Sequence, residues 1–127
     1  MKILALCLII IVIAAPAQAI DSIPYATGGL QWDWTQGAPP NDGIPTEFHL
    51  KCGTASGQYT MPVKIIPYPT KTIDLSAFLP GPSNTTYYCV VTAFNPASSP
   101  PEIGPSNEFP FVAAGGMLTP PANLRKR

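Results

Sequence analysis

Few residues in this chain have the type and spacing that chemistry needs. The one histidine, His49, stands two residues from Glu47 and two from Lys51 on an alternating stretch, which makes it a wet-face residue rather than a general base with a partner. No serine lies in a nucleophile elbow, and no Cys/His cluster has zinc spacing. Asp33 and Asp42 flank a loop where calcium is conceivable, but isolated carboxylates beside prolines read as solvated. The expectation is a non-enzymatic protein with no catalytic residue, no metal site and no cofactor. Asn84-Thr85-Thr86 is a glycosylation sequon, meaningful only in a eukaryotic source.

The cysteines offer structural chemistry instead, and their meaning depends on the leading segment. Met1-Lys2 is a short positive start, Ile3 to Ala15 is an apolar run, and Pro16-Ala17-Gln18-Ala19 ends in small residues at the positions a signal peptidase reads. An apolar run of that length is short of the about 20 residues that span a bilayer. Residues 1–19 are therefore read as a signal peptide, with an uncleaved anchor as the alternative; Leu6 before Cys7 argues against a lipoprotein site. Cleavage removes Cys7, leaves no membrane span, and delivers a secreted or cell-surface domain with two cysteines, Cys52 and Cys89. Two cysteines allow one intramolecular pairing, and closing that separation stabilises a small domain by roughly 4 kcal/mol on the chain-entropy model.

Formal charge is zero over the 127 residues but unevenly spread. Between Ile20 and Thr119 three lysines stand against seven carboxylates, a net of −4, and Arg125-Lys126-Arg127 restore +3 at the end. An acidic body with a basic tip is the wrong distribution for nucleic acid, which needs a positive patch on the folded surface.

The elements that must position these groups are strands. Thr86 to Asn95 alternates Tyr87, Cys89, Val91 and Ala93 on one face with Tyr88, Val90, Thr92 and Phe94 on the other, the pattern of a central strand. Leu30, Trp32 and Trp34 share a face on an earlier strand; Phe48, Leu50 and Cys52 share one over 46–53, opposite Glu47, His49 and Lys51. Gly53 to Gln58 is a hairpin tip, and the strand returning over 59–66 carries Pro62, which confines it to an edge or a bulge. Thr72 to Leu75 and Ser106 to Val112 complete the set, while 35–45 and 95–105 read as loops. With 17 prolines and no sustained helical period, six or seven short strands predict a β-sandwich.

These motifs resemble a fibronectin type III domain over roughly Ile20 to Ala113, with a flexible tail or donated strand over 114–127. Leu30-x-Trp32-x-Trp34 is similar to that family's second strand. Pro80-Gly81 leading to Tyr87-x-x-x-Val91-x-Ala93-x-Asn95 is similar to its corner tyrosine and sixth strand. Lys51-Cys-Gly-Thr-Ala-Ser-Gly-Gln-Tyr59-Thr60, with Ser106-Asn107-Glu108, resembles the variant of bacterial extracellular proteins. The resemblance implies a seven-stranded immunoglobulin-like sandwich in which strands three and six are neighbours, so that Cys52 and Cys89 form a cross-strand disulfide.

Two surfaces are candidates for a protein partner. Tyr88, Val90 and Phe94 form an apolar row on the face of the central strand turned from the core, which marks either a partner surface or a face covered by neighbouring strand side chains and the 95–105 loop. The tail Thr119-Pro-Pro-Ala-Asn-Leu124-Arg125 resembles the opening strand of a type III domain, which makes Leu124 and Arg125 candidates to dock on a second copy, head to tail; the alternative is a disordered tail after a Gly-Gly hinge. The alternative is an accessory module for carbohydrate, or a surface or virion component, whose aromatics stack on sugars.

Overall fold

A computed structural model describes residues 20–40, 42–115 and 121–127. The signal peptide expected over 1–19 lies outside the described residues, as does 116–120 of the tail. Eight strands follow in order: β1 (Asp21–Pro24), β2 (Gly29–Gln31), β3 (Glu47–Gly53), β4 (Lys64–Pro67), β5 (Thr72–Asp74), β6 (Thr86–Phe94), β7 (Glu102–Ile103) and β8 (Phe109–Ala114), with one 3₁₀ turn at Leu75–Ala77. The protein is an all-β sandwich, as its alternation predicts.

The larger sheet has the order β1-β8-β6-β3-β4, with β7 added beside β6; the smaller is the pair β2-β5. β3 and β6 form the longest ladder, antiparallel over seven residue pairs from Glu47↔Phe94 to Gly53↔Tyr88. Their inward side chains Phe48, Leu50, Cys52, Tyr87 and Cys89 meet Ile73, Leu75 and Leu79 from the opposite layer, with Phe111 and Ala113 of β8 closing one side. Across the layers the Trp32 ring stands edge-on to Phe48, centroids 5.6 Å apart. β4 takes the outer position that Pro62 dictates and begins only at Lys64. At the hairpin tip Gly53 is required, because a Cβ there would collide with the carbonyl of Gln58.

Four features depart from the sequence expectations. The tryptophan strand is shorter: its last rung is Trp32 N–H to the Lys71 carbonyl at 3.1 Å, and Trp34 lies past it because β5 begins only at Thr72, after a turn closed by Thr70 N–H to Pro67. β7 forms inside the expected 95–105 loop, where Glu102 pairs with Phe94 and Ile103 with Ala93. The expected corner tyrosine, Tyr87, instead tilts against Phe111, centroids 5.8 Å apart. Among the described phenols, that of Tyr25 bonds the corner backbone, donating to the Leu79 carbonyl at 3.0 Å. The final strand reaches Ala114, one residue beyond the expected domain boundary.

Cys52 and Cys89 face each other directly across the β3-β6 ladder, Cα atoms 4.2 Å apart, and are bonded. The bridge closes a separation of 37 residues. Its reduction should lower the unfolding free energy by roughly 4 kcal/mol, measured as a fall in the urea midpoint with added thiol. Two titratable thiols in the untreated native protein, or an unchanged midpoint, would show that the bridge does not form or does not matter.

Candidate functional site

β3 and β6 present a second face, away from the core, and it is more polar and more closed than the sequence suggests. His49 lies opposite Thr92 in the ladder and stacks on Phe94 with ring centroids 4.7 Å apart. Its Nε2 is 2.7 Å from Glu47 Oε2 and its Nδ1 3.8 Å from Glu102 Oε1. The expectation of a wet histidine without a partner is corrected: it is half-buried, 16% exposed, and two carboxylates hold it. Lys51 Nζ lies 2.5 Å from Glu102 Oε1, and the Thr92 hydroxyl donates to the same carboxylate at 2.6 Å. Since that hydroxyl is committed to Glu102 and not to the imidazole, the group forms an ion-pair network and lacks the nucleophile-to-base bond of acyl-transfer chemistry.

The apolar row expected here survives only in part. Val90 is 3% exposed and unavailable to a partner; Tyr88 and Phe94 keep partial exposure. Thr92, between them, is buried as well. Glu102 is the residue that closes this end of the face, and nothing in an irregular Pro-rich stretch marks it beforehand. Its carboxyl is held below the ordinary glutamate value of 4.5, chiefly by the Lys51 ammonium and next by the Thr92 hydroxyl.

A second carboxylate is cradled at the β3 hairpin. Glu108, just before β8, accepts from Ser56 Oγ at 2.5 Å, from the Tyr59 hydroxyl, and from Gly57 N–H at 2.9 Å. Those donors, Ser56 first, also hold it below 4.5, while the bond to Glu108 raises the Tyr59 phenol. The cradle ties the hairpin tip to the segment that leads into the last strand.

Two concavities stand out among the described residues. A groove of about 630 Å³ at one end of the sandwich is lined by Trp34, Pro40, Ile44, Phe94, Pro100 and Ile103. A cleft of about 460 Å³ opens between the sheets beside β2. Among the described residues no group of three His, Cys, Asp or Glu is placed to hold a metal ion, and Asp33 and Asp42 are both exposed. No described helix is long and apolar enough to cross a membrane. The C-terminal residues 121–127 are exposed throughout: Leu124 is 103% exposed, and Arg125 Nη1 donates to the nearby Asn123 carbonyl at 3.3 Å.

No family model, curated protein or solved structure matches this chain.

Glu102 and Glu108 are more acidic in the folded than in the unfolded chain. Their contribution to stability is therefore complete above the ordinary value of 4.5 and is lost as pH falls through the lower folded-state values. The urea midpoint should drop between about pH 6 and about pH 3, and Glu108→Gln should make that drop shallower while lowering the midpoint at neutral pH. An acid limb equally steep in the variant would remove the cradle as its source.

Proposed function

We propose that this chain is a secreted, non-enzymatic binding module of the fibronectin type III kind that self-associates head to tail through its own C-terminus. The observation that carries the reading is the C-terminal segment itself: Leu124 stands wholly in solvent, and three cations follow it. An apolar side chain held out this way, on a tip of opposite sign to the −4 body, suits a segment that docks on another molecule. The cross-strand disulfide supports an extracellular setting, since such bonds persist in oxidising compartments. The family reading rests on the sequence motifs alone, of which Leu30, Lys51-Cys52-Gly53 and Tyr87 to Ala93 fall within β2, β3 and β6.

The end groove favours a second reading, an accessory module for polysaccharide. Trp34 and Phe94 line it, and Tyr68 stands edge-on to Trp34 at 5.7 Å, which offers rings to a sugar face.

Light scattering on the mature protein should give a mass that rises with concentration, and removal of residues 117–127 should leave a monomer throughout. Equal masses for the two forms would overturn the head-to-tail reading. For the second reading, retardation in polysaccharide gels should vanish in Trp34→Ala; an unretarded parent protein would dismiss it.

A further inference from the structure

The small sheet leaves one edge open. Among the described residues β2 is paired only with β5, because β1 lies instead in parallel along Phe111–Ala114 of β8. The bonds Trp32 N–H to Lys71 and Leu75 N–H to Gly28 set the phase of the ladder, so that Gly29 and Gln31 turn their N–H and C=O groups outward. The other edges of the sandwich are blunted: β4 carries Lys64 and Pro67, β1 carries Asp21 and Pro24, and β5 is flanked by Lys71 and ends at Asp74. β2 reads Gly-Leu-Gln and has no such guard.

The cleft beside this edge reaches the core. Leu30, Trp32, Leu50, Cys89, Val91 and Phe109 line its apolar wall, and Ser106-Asn107 form the rim facing β2, where β1 does not cover the approach to β8. The indole N–H of Trp32, which lines the cleft, is buried without an acceptor. An unguarded edge over an opening into the interior is the geometry of a sandwich ready to take one more strand.

We propose that this cleft accepts the C-terminal segment of a second copy, with residues 121–125 adding to the outer edge of β2 and Leu124 filling the cleft. The occupant follows from the chain's own composition. At strand periodicity Ala122 and Leu124 share one face, and Leu124 is the most exposed large apolar side chain described. Arg125, Lys126 and Arg127 would leave the strand past a rim that carries Asp33, on a body of net charge −4. This inference rests on the head-to-tail reading above and names its acceptor.

The test uses protein lacking residues 117–127, which keeps the whole core, and a synthetic peptide of residues 119–127. The peptide binds, and Gly29 and Gln31 amides gain hydrogen-exchange protection. Gln31→Pro, which deletes one outward N–H, weakens binding at least tenfold, while Gln31→Ala leaves it intact. Leu124→Ala in the peptide weakens binding on the order of 100-fold and carries the test even if Gln31→Pro fails to fold. In the full-length protein the same protection rises with concentration. Equal binding to the proline and alanine variants, or protection on β4 or β5 instead, overturns the acceptor and leaves head-to-tail assembly standing. Protection of Gly29 and Gln31 that is independent of concentration assigns the cleft to the chain's own tail. A full-length protein that stays monomeric and a peptide that does not bind remove both readings.

Discussion

The constraint on which the structure depends is the register of β3 against β6. A slip of one residue would turn Phe48, Leu50 and Cys52 outward and bring Glu47, His49 and Lys51 into the core, so burial alone fixes the pairing strongly. The Cys52–Cys89 bond lies within that ladder, one pair from its end, and excludes the slipped alternatives covalently. Every other element takes its position from this pair. β4 and β8 continue the sheet on either side, the hairpin tip returns through Gly53, and β7 pairs with the end of β6.

The second layer is far weaker by itself. Two strands with three residues each in the ladder cannot form a stable sheet in water. What holds them is apolar burial against the first layer, through Ile73, Leu75 and the Trp32 ring over Phe48, together with the Tyr25 phenol bound to the corner at Leu79. That arrangement keeps the sandwich closed where the aromatic rings lie and leaves it open beside β2. The open cleft and the short small sheet are one fact: the strand that would have completed that layer, β1, pairs with β8 instead.

Strand pattern was legible wherever burial is one-sided. β3, β6 and β8 follow their period-two alternation, and Pro62 correctly confines β4 to an edge that starts late. Partner choice is not written in alternation, which is why the pairing of β1 with β8 had no signal in Asp21–Pro24. The outer face was misjudged for a related reason. Tyr88, Val90 and Phe94 read as a row either open or covered because period two reveals which side a residue takes and not what lies over it; Glu102, eight residues beyond Phe94, arrives through an irregular loop. Tyr25 shows the same limit, since its bond to Leu79 joins positions 54 residues apart.

The filled outer face bears on where recognition can occur. His49, Lys51, Thr92 and Glu102 satisfy one another across it, so a partner docking there would have to break charged contacts already made and would gain only the partly exposed rings of Tyr88 and Phe94. Unpaired backbone groups at a strand edge carry no such debt, because they exchange water for a strand and gain a side-chain pocket at the same time. In the proposed assembly the two kinds of contact then divide the work. The exposed cations of the tip are screened beyond about 8 Å at physiological ionic strength, so they steer and orient the encounter. Affinity must come from what enters the dry cleft, and among the described residues 121–127 the one large apolar side chain able to do so is Leu124.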